Sequence, residues 1–408
     1  MDTQEIVPIT QQTMVATMLH LDNLNVDCLL NIFRMLSLPD LASVTGVCRN
    51  FRDIAAEAFK YEWKNKTIRL SNKDSNSKLE STAILRNFGN QLQNVQIVFD
   101  KQRNDTFFKL IIDKCSSQLK QVDLSSTCFN VHLERVLSKE NIQRFNDKFV
   151  NLKALRFENN IDDIIEPECI EQQFPALEEL SLSGYPFVNQ NVLQFIIVNP
   201  QIKSLSSFHC NTLQDGVDMI RMIDQHLPRL ERLGLWVHGR ADMIEYQPRF
   251  LKALKHLKIH SYGSTANLHH LSISNERVEE MELELGSCDE NVIDFICQYK
   301  ELTKLAIRLY SDSPFDCKFL SELKKHLPKL TEIEICGFWR DLNHTDIVHF
   351  VHESKRLINF ILRDGKRKDI LDDMNQIRTK LDSTHWSVNY NASAPRQLHF
   401  VRAKRPGN

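Results

Sequence analysis

Glycine is scarce in this chain, at 11 of 408 residues, where an average soluble chain carries about 7%. Loops that cradle phosphate need several closely spaced glycines so that backbone N–H groups can approach the anion. No G-x-G-x-x-G and no G-x-x-x-x-G-K-[ST] occurs, and G-x-S-x-G and H-E-x-x-H are absent as well. These absences disfavour a nucleotide-driven enzyme. There is also no apolar run near the roughly 18 residues that span a bilayer. No basic residue precedes His20, while Asp2 and Glu5 sit at the front, which does not read as a secretory signal.

Charge of one sign is lacking too. The formal net charge is -2, so nothing global calls for nucleic acid or an anionic membrane as partner. Ten cysteines are scattered without a C-x-x-C. In a chain with no export signal they read as reduced, mostly buried small hydrophobes. The sequons at Asn65, Asn104, Asn343 and Asn391 then read as chance, and the expected location is cytoplasmic or nuclear. No cofactor or metal set is expected.

What is present begins at the N-terminus. Residues 1–19 read as a flexible tail. Leu29, Ile32, Phe33 and Leu36 then recur at the spacing of one helical face. Asn25 is placed to cap that helix, with Asp27 in its first turn. Pro39 suits the opening of a second helix bearing Leu41, Val44 and Cys48. A third starts near Arg49 with Phe51, Ile54, Ala55 and Phe59. Three short helices are close to the lower limit for an independent core, yet Leu24, Leu30, Val47 and Trp63 also need cover. Either they pack on the following domain or one face docks on another protein.

Residues 20–66 resemble an F-box. The resemblance rests on Leu24, Leu29-Leu30, Ile32-Phe33, Leu36, Asp40-Leu41, Val44, Val47-Cys48-Arg49 and Phe51-Arg52. Asn25 stands where the family usually has Pro, and Asp27 where it usually has Glu. The likeness implies docking onto a Skp-family adaptor and, through it, a cullin–RING core. By the same likeness Leu24, Leu29, Leu30, Ile32, Phe33, Leu36, Leu41 and Val44 are the adaptor-binding candidates.

The second feature is a pattern, L-x-x-L-x-L, that returns eleven times. Its copies start at Leu92, Leu119, Leu152, Leu177, Ile202, Leu230, Leu254, Val278, Leu302, Leu330 and Leu357. Successive starts lie 24 to 33 residues apart, with one insertion around residues 130–150. Each copy predicts a short parallel strand followed by a helical return, and no copy can bury its leucines alone. Returns at 187–198, 213–227, 291–299, 319–327 and 347–351 read as amphipathic helices, and Pro200, Pro228 and Pro328 follow three of them. The return between Gly263 and Arg277 is less helical.

This part resembles the leucine-rich-repeat family. The expected fold is therefore α/β: a leucine-rich-repeat solenoid over residues 67–391, with a curved parallel sheet on the concave face and helices on the convex face, behind a small all-α F-box. Residues 392–408 read as a C-terminal tail, and Trp386, Val388 and Tyr390 as a closing strand. The family's ninth position holds Asn160 and Cys210, but Tyr185, His238, Tyr262, Tyr310 and Phe338 elsewhere. Those aromatics either fill the core edge or form an exposed ridge.

Strand alternation places the residues between and after the last two leucines on the concave side. They include Ser181, Ser183, Ser206, Gly234, Trp236, Lys258, His260, Glu282, Glu284, Ala306, Arg308, Glu334, Cys336 and Arg363. Trp236, with His238 just beyond it, is the candidate anchor for a protein substrate. Glu282 and Glu284 are expected between Lys258/His260 and Arg308, either as a lateral charge ladder or as a charge-patterned pocket. His344, His349 and His352 read as solvent-facing, and Lys366-Arg367-Lys368 and the basic tail as solvated.

The expectation is a non-catalytic substrate-recognition subunit of a Skp–cullin–F-box ubiquitin ligase, holding an unidentified protein on the repeat arc. The alternative is an F-box/leucine-rich-repeat scaffold acting outside a ligase complex.

Overall fold

The computed structural model describes residues 24–99, 104–126, 139–159, 173–183, 189–210, 213–237, 251–261, 268, 277–310, 317–337, 342, 344–364, 370–381, 385–391 and 396–403. Three helices open it: α1 (Val26–Arg34), α2 (Leu38–Val44) and α3 (Arg49–Glu62). The Asn25 side chain accepts from the Asp27 N–H, so it does cap α1. Ser37 caps α2, with Pro39 in its first turn. Cys48 lies outside α2: a turn at 45–47 ends that helix, and the Cys48 sulfur caps α3 by accepting from the Phe51 N–H.

Strands and helices then alternate. They are β1 (Thr67–Ser71), α4 (Ser75–Phe88), β2 (Asn94–Phe99), α5 (Asn104–Lys114), β3 (Gln121–Ser126), α6 (Lys139–Lys148), β4 (Ala154–Asn159) and β5 (Glu179–Ser183). Next come α7 (Asn189–Val198), β6 (Ser204–Cys210), α8 (Leu213–His226), β7 (Arg232–Val237), β8 (His256–Ser261) and β9 (Glu280–Leu285). The chain continues through α9 (Glu290–Cys297), β10 (Lys304–Leu309), α10 (Cys317–His326), β11 (Glu332–Cys336), α11 (His344–Glu353) and β12 (Asn359–Asp364). It closes with α12 (Ile370–Leu381), β13 (Trp386–Asn391) and β14 (Arg396–Arg402).

All the strands join one sheet, and β1 to β12 lie side by side in chain order. From β1 to β12 every pairing is parallel, with one irregularity in β6 between Leu205 and Phe208. Each of the eleven leucine copies supplies one strand, β2 to β12. The first apolar residue of each copy sits two residues ahead of its strand and is buried.

The same position carries a repeated hydrogen-bond device. One carbonyl accepts from two successive N–H groups of the next repeat. Lys255 O, for example, takes Glu279 N at 2.8 Å and Glu280 N at 3.0 Å. Glu279 O and Thr303 O do the same in turn. Polar backbone at the sheet's rim is thereby satisfied, and the Thr303 and Thr331 hydroxyls add a donor to Glu279 O and Thr303 O.

Helices such as α5, α9, α10 and α11 bury their apolar stripes against one face of the sheet, and the other face is open. The expected helical returns form as α7 to α11, and α7, α8 and α10 stop just ahead of Pro200, Pro228 and Pro328. The insertion around 130–150 contains α6, which buries Ile142 and Phe145. The return between Gly263 and Arg277 lies almost wholly outside the described residues; Leu268 is buried.

Three expectations need correction. The sheet starts one strand before the leucine pattern, at β1, because Ile68 and Leu70 alone suffice to fill that edge layer. Residues 396–402 are no tail: β14 inserts antiparallel between β12 and β13, with Leu398 and Phe400 fully buried. The expected closing strand β13 is thus the sheet's last strand. Only Cys115 of the described cysteines is buried; Cys28, Cys48 and Cys317 are exposed. Burial pushes the Cys115 thiol up to about 12.

The three N-terminal helices do not stand apart from the repeats. Phe59 of α3 stacks on Phe88 of α4, with ring centroids 4.6 Å apart. Asn87 Nδ2 donates to Ala42 O at 3.2 Å. One apolar core runs from Leu29 through to Phe400. At its far end Phe400 stacks on Phe360 at 5.4 Å. Phe400→Ala is expected to destabilise the repeat domain by roughly 3–5 kcal/mol. Urea unfolding followed by circular dichroism measures this, and a loss under 1 kcal/mol would mean β14 is not part of the cooperative unit.

Candidate functional site

Two surfaces matter, one on the leading helices and one on the open sheet face. On the first, the eight candidate residues separate. Leu29, Phe33 and Leu41 belong to the chain's own core and are closed to a partner. Leu29 and Phe33 are one turn apart on the side of α1 that packs on α3, where the Phe33 ring meets Phe51 edge-on at 5.2 Å. Arg34 Nε also pairs with Glu62 Oε1 at 3.0 Å, holding the two helices together. Leu24, Leu30, Leu36 and Val44 are half-buried against this core. Ile32 is 40% exposed.

The large apolar side chains left outside include Val26 at 52%, Met35 at 87% and Val47 at 67% exposure. The sequence reading passed over Val26 and Met35 as docking residues, and named Val47 only among those needing cover. For Met35 the signal was available: it falls off the i, i+3, i+4 stripe, and an apolar residue off the buried stripe needs another reason to be there.

On the sheet, alternation puts three parallel rows of side chains on the open face. The middle row includes Arg156, Ser181, Ser206, Gly234, Lys258, Glu282, Ala306, Glu334 and Ile361, each in register with the next or joined through the β6 irregularity. A second row runs Trp236, His260, Glu284, Arg308, Cys336 and Arg363. Glu282 and Glu284 therefore lie between Lys258/His260 and the β10 positions as expected. Ser183 is in β5 opposite Glu158. His238 lies outside the described residues, as do Tyr185, Tyr262 and Phe338.

The sequence reading missed a third row, at the first residue of each strand: Arg232, His256, Glu280, Lys304, Glu332 and Asn359. Position parity with the other two rows could have found it. His256 Nδ1 lies 3.0 Å from Glu280 Oε2, and Lys304 Nζ reaches both Glu280 and Glu332. Those two carboxylates hold the Lys304 ammonium above its ordinary value. Half-exposed pairs of this kind contribute about 0.2–1 kcal/mol each.

One group stands out by burial. Glu284 is 8% exposed and meets four partners. Tyr310 donates its hydroxyl to Oε2 at 2.7 Å, and Arg308 donates to Oε1 at 3.3 Å. Lys258 Nζ is 3.2 Å from Oε1, and His260 Nδ1 is 3.0 Å from Oε2. Burial alone would raise this carboxyl, but the Tyr310 hydroxyl, His260 and Lys258 outweigh it and hold it below its ordinary value. Burial is also the main reason His260 lies below 6.5, partly opposed by Glu284. Lys258 loses solvent as well, yet Glu282 and Glu284 raise it overall. Tyr310, at the ninth repeat position, is 56% exposed, so there the aromatic belongs to a ridge and not to the core edge.

Trp236 is not a free-standing anchor. Its indole is half-buried and stacks on His260, with centroids 4.3 Å apart and planes 12° apart. Further along the sheet, Arg156 joins Glu179 at 2.8 Å and Asp123 at 3.8 Å. Among the described residues no group of three or more His, Cys, Asp and Glu side chains is placed to hold a metal ion. His349 pairs with Glu353 instead. No helix among the described residues is long and apolar enough to cross a membrane.

Glu284 and His260 give the repeat domain an acid-side weakness of one sign. A carboxyl held low in the folded chain contributes stability that is present above about 4.5 and lost as pH falls through its folded value. A histidine held low takes up its proton first in the unfolded chain, so stability also declines as pH falls below 6.5. The urea midpoint is expected to drop between pH 7 and 5.5, with a shallower drop in His260→Gln. Equal slopes in both proteins would remove His260 from this account.

The family model described as F-box-like matches residues 22–68. No curated protein matches the chain. Among solved structures the chain is similar to one in the yeast Rad7–Elc1 complex, at TM-score 0.37 and 14% identity, over 82% of this chain and 87% of that one. It is similar to human 5T4, the trophoblast glycoprotein, at TM-score 0.30 and 17% identity, over 56% and 88% of the respective chains. A chain of the Drosophila Toll–Spatzle complex matches at TM-score 0.33 and 12% identity, over 78% of this chain and 50% of that one. The chain thus has an F-box-like segment, built of helices α1 to α3, followed by a solenoid-like array of parallel strands and helices.

Proposed function

We propose that the chain is a substrate-recognition subunit of a Skp–cullin–F-box ubiquitin ligase. The F-box-like helices bind a Skp-family adaptor, which links to a cullin–RING core, and the open sheet face holds a target protein. The chain carries out no bond chemistry itself. It acts by proximity, raising the effective concentration of a target lysine near the ubiquitin-charged enzyme. On this reading it works in the cytoplasm or nucleus.

The observation that carries the reading is the exposed apolar set Val26, Ile32, Met35 and Val47 on an F-box-like segment. These side chains remain in solvent although α1 to α3 already share a filled core with the repeats, which leaves them for an adaptor to cover. The alternative, a scaffold outside any ligase, drew on Asn25 in place of the family's proline. Asn25 caps α1 through the Asp27 N–H, so the start of the helix is kept and this departure gives the alternative little support.

The test is co-expression with a Skp-family adaptor followed by size-exclusion chromatography. Met35→Glu with Val47→Glu should abolish co-elution while leaving the circular dichroism and melting of the chain unchanged. Leu29→Glu or Phe33→Glu should instead unfold the helices, each placing a charge in a closed core. Undiminished co-elution of the double variant would falsify the docking assignment.

A further inference from the structure

The open face of β8 to β12 is a lattice of charges interrupted, between two glutamates of the middle row, by an alanine. Among its described residues, five carboxylates (Glu280, Glu282, Glu284, Glu332, Glu334) face four permanent cations (Lys258, Lys304, Arg308, Arg363). Strand β10 supplies the cation in two of the three rows. Lys304 stands between Glu280 and Glu332, at 3.4 and 3.7 Å. Arg308 meets Glu284 at 3.3 Å. In the middle row the position between Glu282 and Glu334, in register with both, is Ala306.

A methyl group there leaves a depression of about 160 Å³, floored by Ala306 and walled by Glu280, Glu282, Glu332 and Glu334. Lys304 also lines it and pairs with Glu280 and Glu332, so only Glu282 and Glu334 meet their lysine or arginine from outside it. Lys258 Nζ is 3.0 Å from Glu282 but is shared with Glu284, and Arg363 Nε is 3.4 Å from Glu334. Glu334 Oε1 is shielded from solvent and faces Arg363 Nε as an ion pair, without a hydrogen bond of good geometry. A buried carboxylate oxygen in that state gains from a donor that a partner brings.

We propose that the depression over Ala306 receives a lysine or arginine side chain from an extended segment of the target protein, so that the bound cation completes the lattice. This deepens the proposed function, since it rests on the open face being where a target binds. The charge count sets the occupant: five carboxylates outnumber four permanent cations by one, so an acidic segment would add to the excess and an apolar one would cover it uncompensated. Recognition of this kind is lateral and shallow, suited to a polypeptide laid across the strands.

The test selects displayed random peptides on the purified full-length chain. Wild-type protein should enrich peptides with a basic residue at one fixed position. Replacing that residue by norleucine should weaken a selected peptide roughly tenfold, as expected for one charge-assisted hydrogen bond. Ala306→Lys, which fills the lattice from within, should abolish that binding and raise the melting temperature above that of Ala306→Met, a neutral filler of similar length. Glu282→Gln with Glu334→Gln should reduce the basic preference. No selected peptide, selection indifferent to charge, or binding that survives Ala306→Lys overturns the proposal. Adaptor co-elution is read on the same preparations. Its loss with peptide selection intact sinks the ligase reading alone, and the reverse result sinks only the site over Ala306.

Discussion

Lateral register between neighbouring strands is the constraint on which everything else in this molecule depends. It is set by two things that recur at every repeat. A buried aliphatic residue two positions before each strand fixes the layer, and one backbone carbonyl takes two N–H groups from the next repeat. Neither half works alone: the leucines give no direction, and the shared carbonyl gives little burial. Together they place residue 258 beside 282 and 282 beside 306, although these lie far apart in the chain. Strand side chains alternate, so a slip of one residue would send every charge inward and every leucine outward.

That register turns scattered charged residues into a surface. Individually the pairs along the outer row are weak, exposed and screened by salt. Glu284 differs because Lys258 and His260 on β8, Arg308 on β10 and Tyr310 just after β10 converge on it. A knot of that kind stiffens the middle of the face, next to a position where the pattern is interrupted by alanine. The rigid part and the receptive part of the surface are therefore adjacent, which keeps the ordering penalty of binding low.

The leading helices show how a shared core divides labour among similar residues. Stacking of Phe59 on Phe88 joins α3 to the first helix of the array, so the small helical unit borrows stability it is too short to generate. With Leu29, Phe33 and Leu41 committed inward, the surface for a partner is made from what remains. The pattern of apolar residues was a record of folding and docking overlaid, and only burial separates them.

Much of the architecture was legible in the residues themselves. The leucine period gave eleven strands in their order, the prolines marked three helix ends, and parity placed Lys258, Glu282, Glu284 and Arg308 on one face. These are local rules, tied to a period of two in strands and 3.6 in helices, and they hold without knowing what packs where. What tertiary structure decided was relational. β1 joins the sheet without the repeat pattern because an edge layer needs only an apolar pair, Ile68 and Leu70, and a neighbour to extend, while β14 inserts between β12 and β13 on the burial of Leu398 and Phe400. The stacking of Trp236 on His260 and the inward turn of Leu29, Phe33 and Leu41 depend on partners on other strands or helices. So does the gap over Ala306, which exists only because Glu282 and Glu334 arrive on either side of it. Sequence determines which side chains the fold presents together in a row; burial and lateral neighbours, fixed only when the layers stack, decide which of them are left to bind.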